Sequence, residues 1–242
     1  MALKRINAGM VIAALCHLWL IPAATADVAK GLYAGIEGGV AWTGPLTFEP
    51  FYFNCATLYP CALNYNSINF DMGYAAGVQV GYAFGGPRVE FEYNYRNNGA
   101  DTIASPSGTQ SASGSLTSNN FIVNLFYDFD IGSCWVPYVG FGLGLSDVSA
   151  NTIKPSSATR SASSFVDGGS NKFSAQFILG IEYAVSERFG LMLDWRGLWA
   201  TSVSYTYGVG CTSGSTTNCT QTGTTTYDYW NGALNLGLRV KF

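Results

Sequence analysis

From Leu32 onward the chain alternates between two textures. Stretches about ten residues long carry an apolar residue at every second position, and they are separated by stretches rich in Ser, Thr, Asn and Gly. Period two is the mark of a strand whose two faces meet different surroundings. Eight such strands are predicted: Leu32 to Trp42, Met72 to Phe84, Arg88 to Asn97, Asn119 to Phe129, Val136 to Ser146, Lys172 to Ala184, a seventh after the Ser186-Glu187-Arg188 turn, and Tyr229 to Phe242. The third is the sharpest, with Val89, Phe91, Tyr93 and Tyr95 against Arg88, Glu90, Glu92, Asn94 and Arg96. The connections alternate in length. Those after strands two, four and six are short. Those after strands one, three, five and seven are long, roughly 43–71, 98–118, 147–171 and 203–228.

An even number of strands, each with an uninterrupted apolar face, joined by alternating short turns and long loops, predicts a closed antiparallel barrel in a membrane. A tilted spanning strand needs ~9–11 residues, which matches the segments. Aromatic residues sit near segment ends (Trp42, Phe84, Tyr95, Phe129, Trp135, Phe173, Tyr183, Trp199 and Trp230), as expected of two interfacial girdles. The expected fold is all-β, an eight-stranded antiparallel transmembrane up-and-down β-barrel.

Composition agrees. Charged residues are only 11% of the 242, aromatics are 15%, and there are 29 glycines. Residues 1–26 form a separate unit. Lys4 and Arg5 precede an apolar run from about Met10 to Ile21, and Ala24-Thr25-Ala26 comes after it. That is the pattern of a cleaved signal peptide, and the run is short of the ~20 residues of a spanning helix. The domain expectation is therefore a signal peptide over 1–26 and a barrel over 27–242, exported to the bacterial outer membrane. Nothing after residue 26 offers a helix-length apolar run. Lipid demands that backbone polar groups be paired internally, which leaves a barrel.

Three segments resemble the small outer-membrane β-barrel family of OmpA-type and OmpX-type barrels, opacity proteins and porin-like surface antigens. They are Gly31-Leu32-Tyr33-Ala34-Gly35-Ile36-Glu37-Gly38-Gly39, the strand Trp135-Val136-Pro137-Tyr138-Val139-Gly140-Phe141-Gly142-Leu143-Gly144, and the terminal Gly232 to Phe242. The resemblance implies that Phe242 is an assembly signal read by the barrel-assembly machinery. It is specific for fold and location, and fold alone does not imply function.

The inward faces are expected to hold Glu37, Arg88, Glu90, Glu92, Arg96, Asp128, Glu182, Asp194, Arg196, Arg239 and Lys241. In a barrel just wide enough for side chains to fill, such a balanced set predicts a paired charge network. Small residues, including Gly73, Gly77 and Gly81, either make room for large neighbours or leave wet space. His17 is the only histidine and lies in the signal segment. The mature chain therefore lacks the base of Ser-His chemistry and an imidazole ligand for zinc or haem. Neither an enzyme nor a cofactor or metal is expected, and no basic patch suits nucleic acid. Cys55 and Cys61 share the first long connection, and Cys211 and Cys219 the fourth, so two intraloop disulfides are expected in an oxidising space. Cross-loop pairing competes with this, and Cys134 is left over in a short turn. The stretches 105–118 and 212–226 read as mobile polar loops. The aromatic residues of the first connection (Phe48, Phe51, Tyr52, Phe53 and Tyr59) either fold over the barrel mouth or form a binding surface. The functional expectation is a non-enzymatic surface protein. Its loops would meet host or cell-surface ligands, and outer-membrane lipids and lipopolysaccharide would surround it. A narrow channel for small polar solutes is the first alternative, and a haem-binding or other ligand-binding surface antigen is the second.

Overall fold

The computed structural model describes residues 30–47, 51–53, 61–63, 67–105, 108–156, 164–211 and 219–242. The expected signal peptide lies outside them. Eight long strands form the wall: β1 (Lys30–Thr43), β2 (Gly73–Phe84), β3 (Pro87–Ser105), β4 (Gly108–Asp128), β5 (Trp135–Pro155), β6 (Ser164–Ala184), β7 (Phe189–Cys211) and β8 (Cys219–Lys241). Each pairs antiparallel with its sequence neighbour, and β1 pairs with β8 over Tyr33↔Lys241 to Thr43↔Asn231, so the sheet closes into a ring of eight.

Every second side chain points outward into what would be lipid. Ile36, Phe91, Phe121, Leu125, Leu145 and Leu236 are each about 60% exposed (59 to 68%), because the wall has nothing outside it. The belt ends in aromatics at both levels. At the short-turn end Trp135 rests against Tyr183 with ring centroids 4.7 Å apart. Trp199, Trp230 and Phe173 mark the other level.

The strands do not stop at that second level. The sequence predicts loops over 98–118, 147–171 and 203–228, but β3 to β8 run 19 to 23 residues each. That is about twice the membrane span. The expected loop 105–118 is mostly strand, with Ser105 paired to Gly108 in register. Of the expected loop 212–226, residues 219–226 are strand and 212–218 lie outside the described residues. Ser and Thr occupy these hairpins because their outer face meets water, while the ladder still pairs the backbone. The first connection carries short ladders, Leu46–Thr47 with Ser67–Phe70, and Ser67–Phe70 with the upper part of β3.

Beyond the second aromatic level the ladders shift register, in β3 between Gly99 and Thr102, in β4 between Ser113 and Ser115, and in β7 between Ala200 and Val203. A bulge adds one residue, bends the strand and reverses which parity faces inward. In β7 the buried residues change from Leu198 and Ala200 to Val203 and Tyr205. Two bulges place non-glycine residues in the left-handed region, Thr152 (φ 42°) and Ser202 (φ 54°). Aspartates of the neighbouring strands receive their backbone N–H groups, Asp167 for Thr152 at 3.5 Å and Asp228 for Ser202 at 3.0 Å.

Two outcomes are expected in urea titrations of the barrel refolded into vesicles. Phe91→Arg puts a guanidinium on the lipid face and costs about 2–4 kcal/mol. Thr152→Gly relieves a β-branched residue of left-handed backbone and gains about 1 kcal/mol.

Candidate functional site

The lumen is the candidate site, and it is built in two layers. Strand alternation delivers the first. Glu37, Arg88, Glu90, Glu92, Arg96, Asp128, Glu182, Asp194, Arg196 and Arg239 all point inward and are no more than 9% exposed. Arg196 is the hub. It bridges Glu37, reaches Glu92 at 2.5 Å and holds Asp194 at 2.9 Å. One guanidinium thus serves three carboxylates and ties the wall together across the lumen. Tyr138 donates at 2.9 Å to Oδ2 of Asp194, which Arg196 Nη2 also reaches at 3.1 Å, while Asn124 and Gln176 donate to Oε2 of Glu92 at 2.5 and 2.9 Å.

Nearer the short-turn end, Arg88 pairs with Asp128 at 2.7 Å and donates to Tyr33 Oη at 3.2 Å. Tyr33 in turn donates to Glu90 at 3.0 Å. Arg88 lies 4.3 Å over the Phe126 ring, and Arg239 lies 4.8 Å over that of Tyr33. Glu182 takes Arg239 and Lys241, the latter at 2.8 Å. Tyr33 fits because its neighbour is Gly81, where a Cβ would strike the Tyr33 ring; Gly180 makes the same room for Tyr138. These glycines therefore accommodate inward tyrosines rather than wet space.

At the other boundary of this layer Arg96 is 1% exposed and donates to neutral partners: Asn94, Gln176 at 3.0 Å and Asn231 at 2.9 Å. Its charge is solvated by amide oxygens in place of a carboxylate. Above it the interior turns apolar. Leu116, Val148, Ile153, Val203, Tyr205 and Tyr229 form a buried cluster, each 2% exposed or less, at the level where the strands rise past the membrane belt. Leu46 and Ile68 of the first connection belong to it. The part of that connection whose side chains are described continues the wall above β1 and β2, with Leu46 and Ile68 turned inward. Phe48 and Tyr59 lie outside the described residues, as do the side chains of Phe51, Tyr52 and Phe53. Burial in this cap pushes the Tyr205 hydroxyl up from its ordinary pKa.

The charged layer could be seen in the sequence because its parity is unbroken. The apolar cap could not, since its residues are diluted among Ser and Thr and change parity at each bulge. The signal available was local, as in Val203, Tyr205 and Tyr207 at spacing two. Of the candidate disulfide residues, Cys211 and Cys219 are partners in register at the end of the β7–β8 ladder. Cys61 opens a short strand and Cys55 lies outside the described residues. Cys134 sits half-buried in the turn between β4 and β5. Phe242 comes directly after β8, and its N–H donates to the Leu32 carbonyl at 2.9 Å. Among the described residues no group of three His, Cys, Asp or Glu is placed to hold a metal ion.

Removing the hub tests how much the layer depends on it. Arg196→Met leaves Glu37, Glu92 and Asp194 buried without their cation and should cost about 3–5 kcal/mol, read as a lower urea midpoint. Adding Glu37→Gln and Glu92→Gln to that variant should recover part of the loss.

The model of the outer membrane protein beta-barrel domain matches residues 11–242. No curated protein sequence matches the chain. Among solved structures, the outer membrane protein OprG of Pseudomonas aeruginosa is similar at a TM-score of 0.58 and 14% identity, covering 88% of this chain and 98% of that one. Neisserial surface protein A is similar at 0.51 and 19% identity, covering 88% and 98%. The outer membrane protease OmpT of Escherichia coli is similar at 0.51 and 7% identity, covering 92% and 99%. At such identities the likeness is one of fold. The ring of eight antiparallel strands, its apolar belt and the match over nearly the whole sequence agree: the chain belongs to the outer membrane protein beta-barrel domain family and is a protein of the bacterial outer membrane.

Proposed function

We propose that this protein is a non-enzymatic, non-conducting surface scaffold whose extended hairpins are its working surface. The observation that carries the reading is the filled lumen. A water-conducting path would wet the inward side chains, yet Glu90, Asn120, Asn124 and Leu198 are 0% exposed. The charged layer blocks the membrane-spanning part, and the apolar cap seals the mouth above it. Ions entering the cap would shed their water with nothing to replace it. The hairpin exteriors are sparsely charged, with Asp101, Lys154 and Asp228 set among outward residues such as Ser113, Ser115, Thr224 and Thr226. Such a surface offers hydroxyl and amide groups to a neutral polar ligand, as expected of contacts with a cell surface or with sugar chains.

The carboxylates favour structure over chemistry. Glu90 and Glu92 are held by Arg88, Tyr33, Asn124 and Arg196, and both are buried in the packed layer. OmpT is a protease, but its likeness to this chain is one of fold, and no histidine occurs after residue 17 here.

Single-channel recording in planar bilayers tests the reading, with folding verified by heat-modifiable gel migration. Silence is expected from the wild-type barrel. Leu116→Ser with Val203→Ser should wet the cap without disturbing the charged layer, and only brief, small openings are expected, because the charged layer still blocks. Stable openings of the wild type would overturn the scaffold reading and make the protein a narrow channel.

A further inference from the structure

The ladder that closes the ring reaches only to Thr43↔Asn231. Above it β8 extends as far as Cys219, while β1 stops at Gly44-Pro45, where Pro45 has no N–H for a ladder. Leu46–Thr47 continues upward, but it pairs on its other side, with Ser67–Phe70 and through that strand with β3. Among the described residues, β8 above Asn231 therefore has a ladder on its β7 side and none on its β1 side.

The bare side can be read group by group. In an antiparallel sheet alternate residues turn both N–H and C=O to the same neighbour. Phe242 N–H donates to Leu32 of β1, and Lys241 N–H donates to Arg188 at the foot of β7. Even-numbered residues of β8 thus address the β1 side and odd-numbered ones address β7. The bulge between Ala200 and Val203 adds its residue to β7, so the parity of β8 is unchanged. Thr43 Oγ1 donates to the Trp230 carbonyl at 2.7 Å. Beyond that contact the backbone groups of Thr220, Thr222, Thr224, Thr226 and Asp228 face the side without a ladder. They lie past the aromatic level of Trp230, where water replaces lipid, and Thr224, Thr226 and Asp228 are exposed. Proteins usually blunt such an edge with Pro, Lys or a bulge. Residues 219–230 contain no Pro, Lys or Arg, and their one charge, Asp228, accepts from the N–H of Ser202 on the β7 side at 3.0 Å.

We propose that this edge binds an extended peptide segment of another protein, which adds to β8 as a further strand. Donors and acceptors recur along the edge at every second residue, about 7 Å apart, and an extended backbone matches both at that repeat. Asp228 favours a basic residue on the incoming strand. A second copy in the same membrane fits badly. Rotation about the membrane normal would set two β8 edges parallel with each residue opposite itself, donor against donor. The inference rests on the hairpins being the working surface and not on a closed lumen, so peptide binding and conductance can fail separately.

Hydrogen exchange of the full barrel in detergent micelles, read by NMR, tests the edge. A blocked synthetic peptide of alternating threonine and valine with one lysine serves as the probe, its binding followed by fluorescence anisotropy. In the barrel alone the amides of Thr224, Thr226 and Asp228 should exchange much faster than those of Thr225 and Tyr227, and the peptide should slow them. Thr224→Pro removes an N–H that the β7 ladder does not use. The variant should stay heat-modifiable and bind the peptide about fivefold more weakly, the scale of one hydrogen bond. Thr224→Val keeps the backbone and should bind as the wild type does. No binding, undiminished binding to folded Thr224→Pro, or equal binding of a peptide methylated at alternate backbone nitrogens would overturn the proposal. Slow exchange of the three amides in the monomeric barrel without peptide would mean that the first connection of this chain already covers the edge. Slow exchange only at high protein concentration would mean that a second copy does. Either result would rule out the external strand.

Discussion

The closing ladder between β1 and β8 is the constraint on which everything else rests. An open sheet in lipid would leave a row of unpaired N–H and C=O groups at each edge, and nothing in the hydrocarbon could satisfy them. The residues of β1 from Tyr33 to Thr43 find partners on β8, and no edge remains within the membrane. Closing on eight strands fixes the diameter, and that diameter is filled by side chains alone. The inward residues then have no choice but to pack against one another, and charged ones must be paired.

Pairing explains the arrangement around Arg196. Moving several charges out of water is costly, and the attraction between them offsets that cost only with good geometry and further hydrogen bonds. The layer supplies both: tyrosine hydroxyls and amides surround the carboxylates, and arginines lie over aromatic faces. The two interior layers divide the work. The charged one fixes which strands lie opposite which, since its partners are specific. The apolar one adds burial worth about 1.5–3 kcal/mol per large side chain without specifying partners.

The fold was legible in the sequence wherever a strand stays in one parity and one environment. Residues 88–97 show this best: Val89, Phe91, Tyr93 and Tyr95 meet lipid, while Arg88, Glu90, Glu92 and Arg96 line the interior. Above the membrane both conditions fail. The outer face meets water, so Ser and Thr replace the apolar belt, and bulges at Thr152 and Ser202 reverse the inward parity of the residues beyond them. A window reading across such a bulge averages inward and outward residues, and Val203 and Tyr205 then look like isolated apolar residues in a loop. The charged layer was legible residue by residue. The cap was not, because it needs register across bulged ladders.

The doubled height of the wall has a consequence for how this protein can change over generations. In an ordinary loop, any residue can be part of the shape. In these hairpins shape is held by the backbone ladder and by alternate inward residues such as Leu116, Val148 and Val203. The residues between them, such as Thr117, Ser149 and Ser204, point to solvent or lie half-buried at the outer face. Half of each hairpin is thus free to vary in chemistry while the other half preserves the scaffold. Outward Ser, Thr and Asn residues can be exchanged one at a time while the ladder and the inward residues keep the shape.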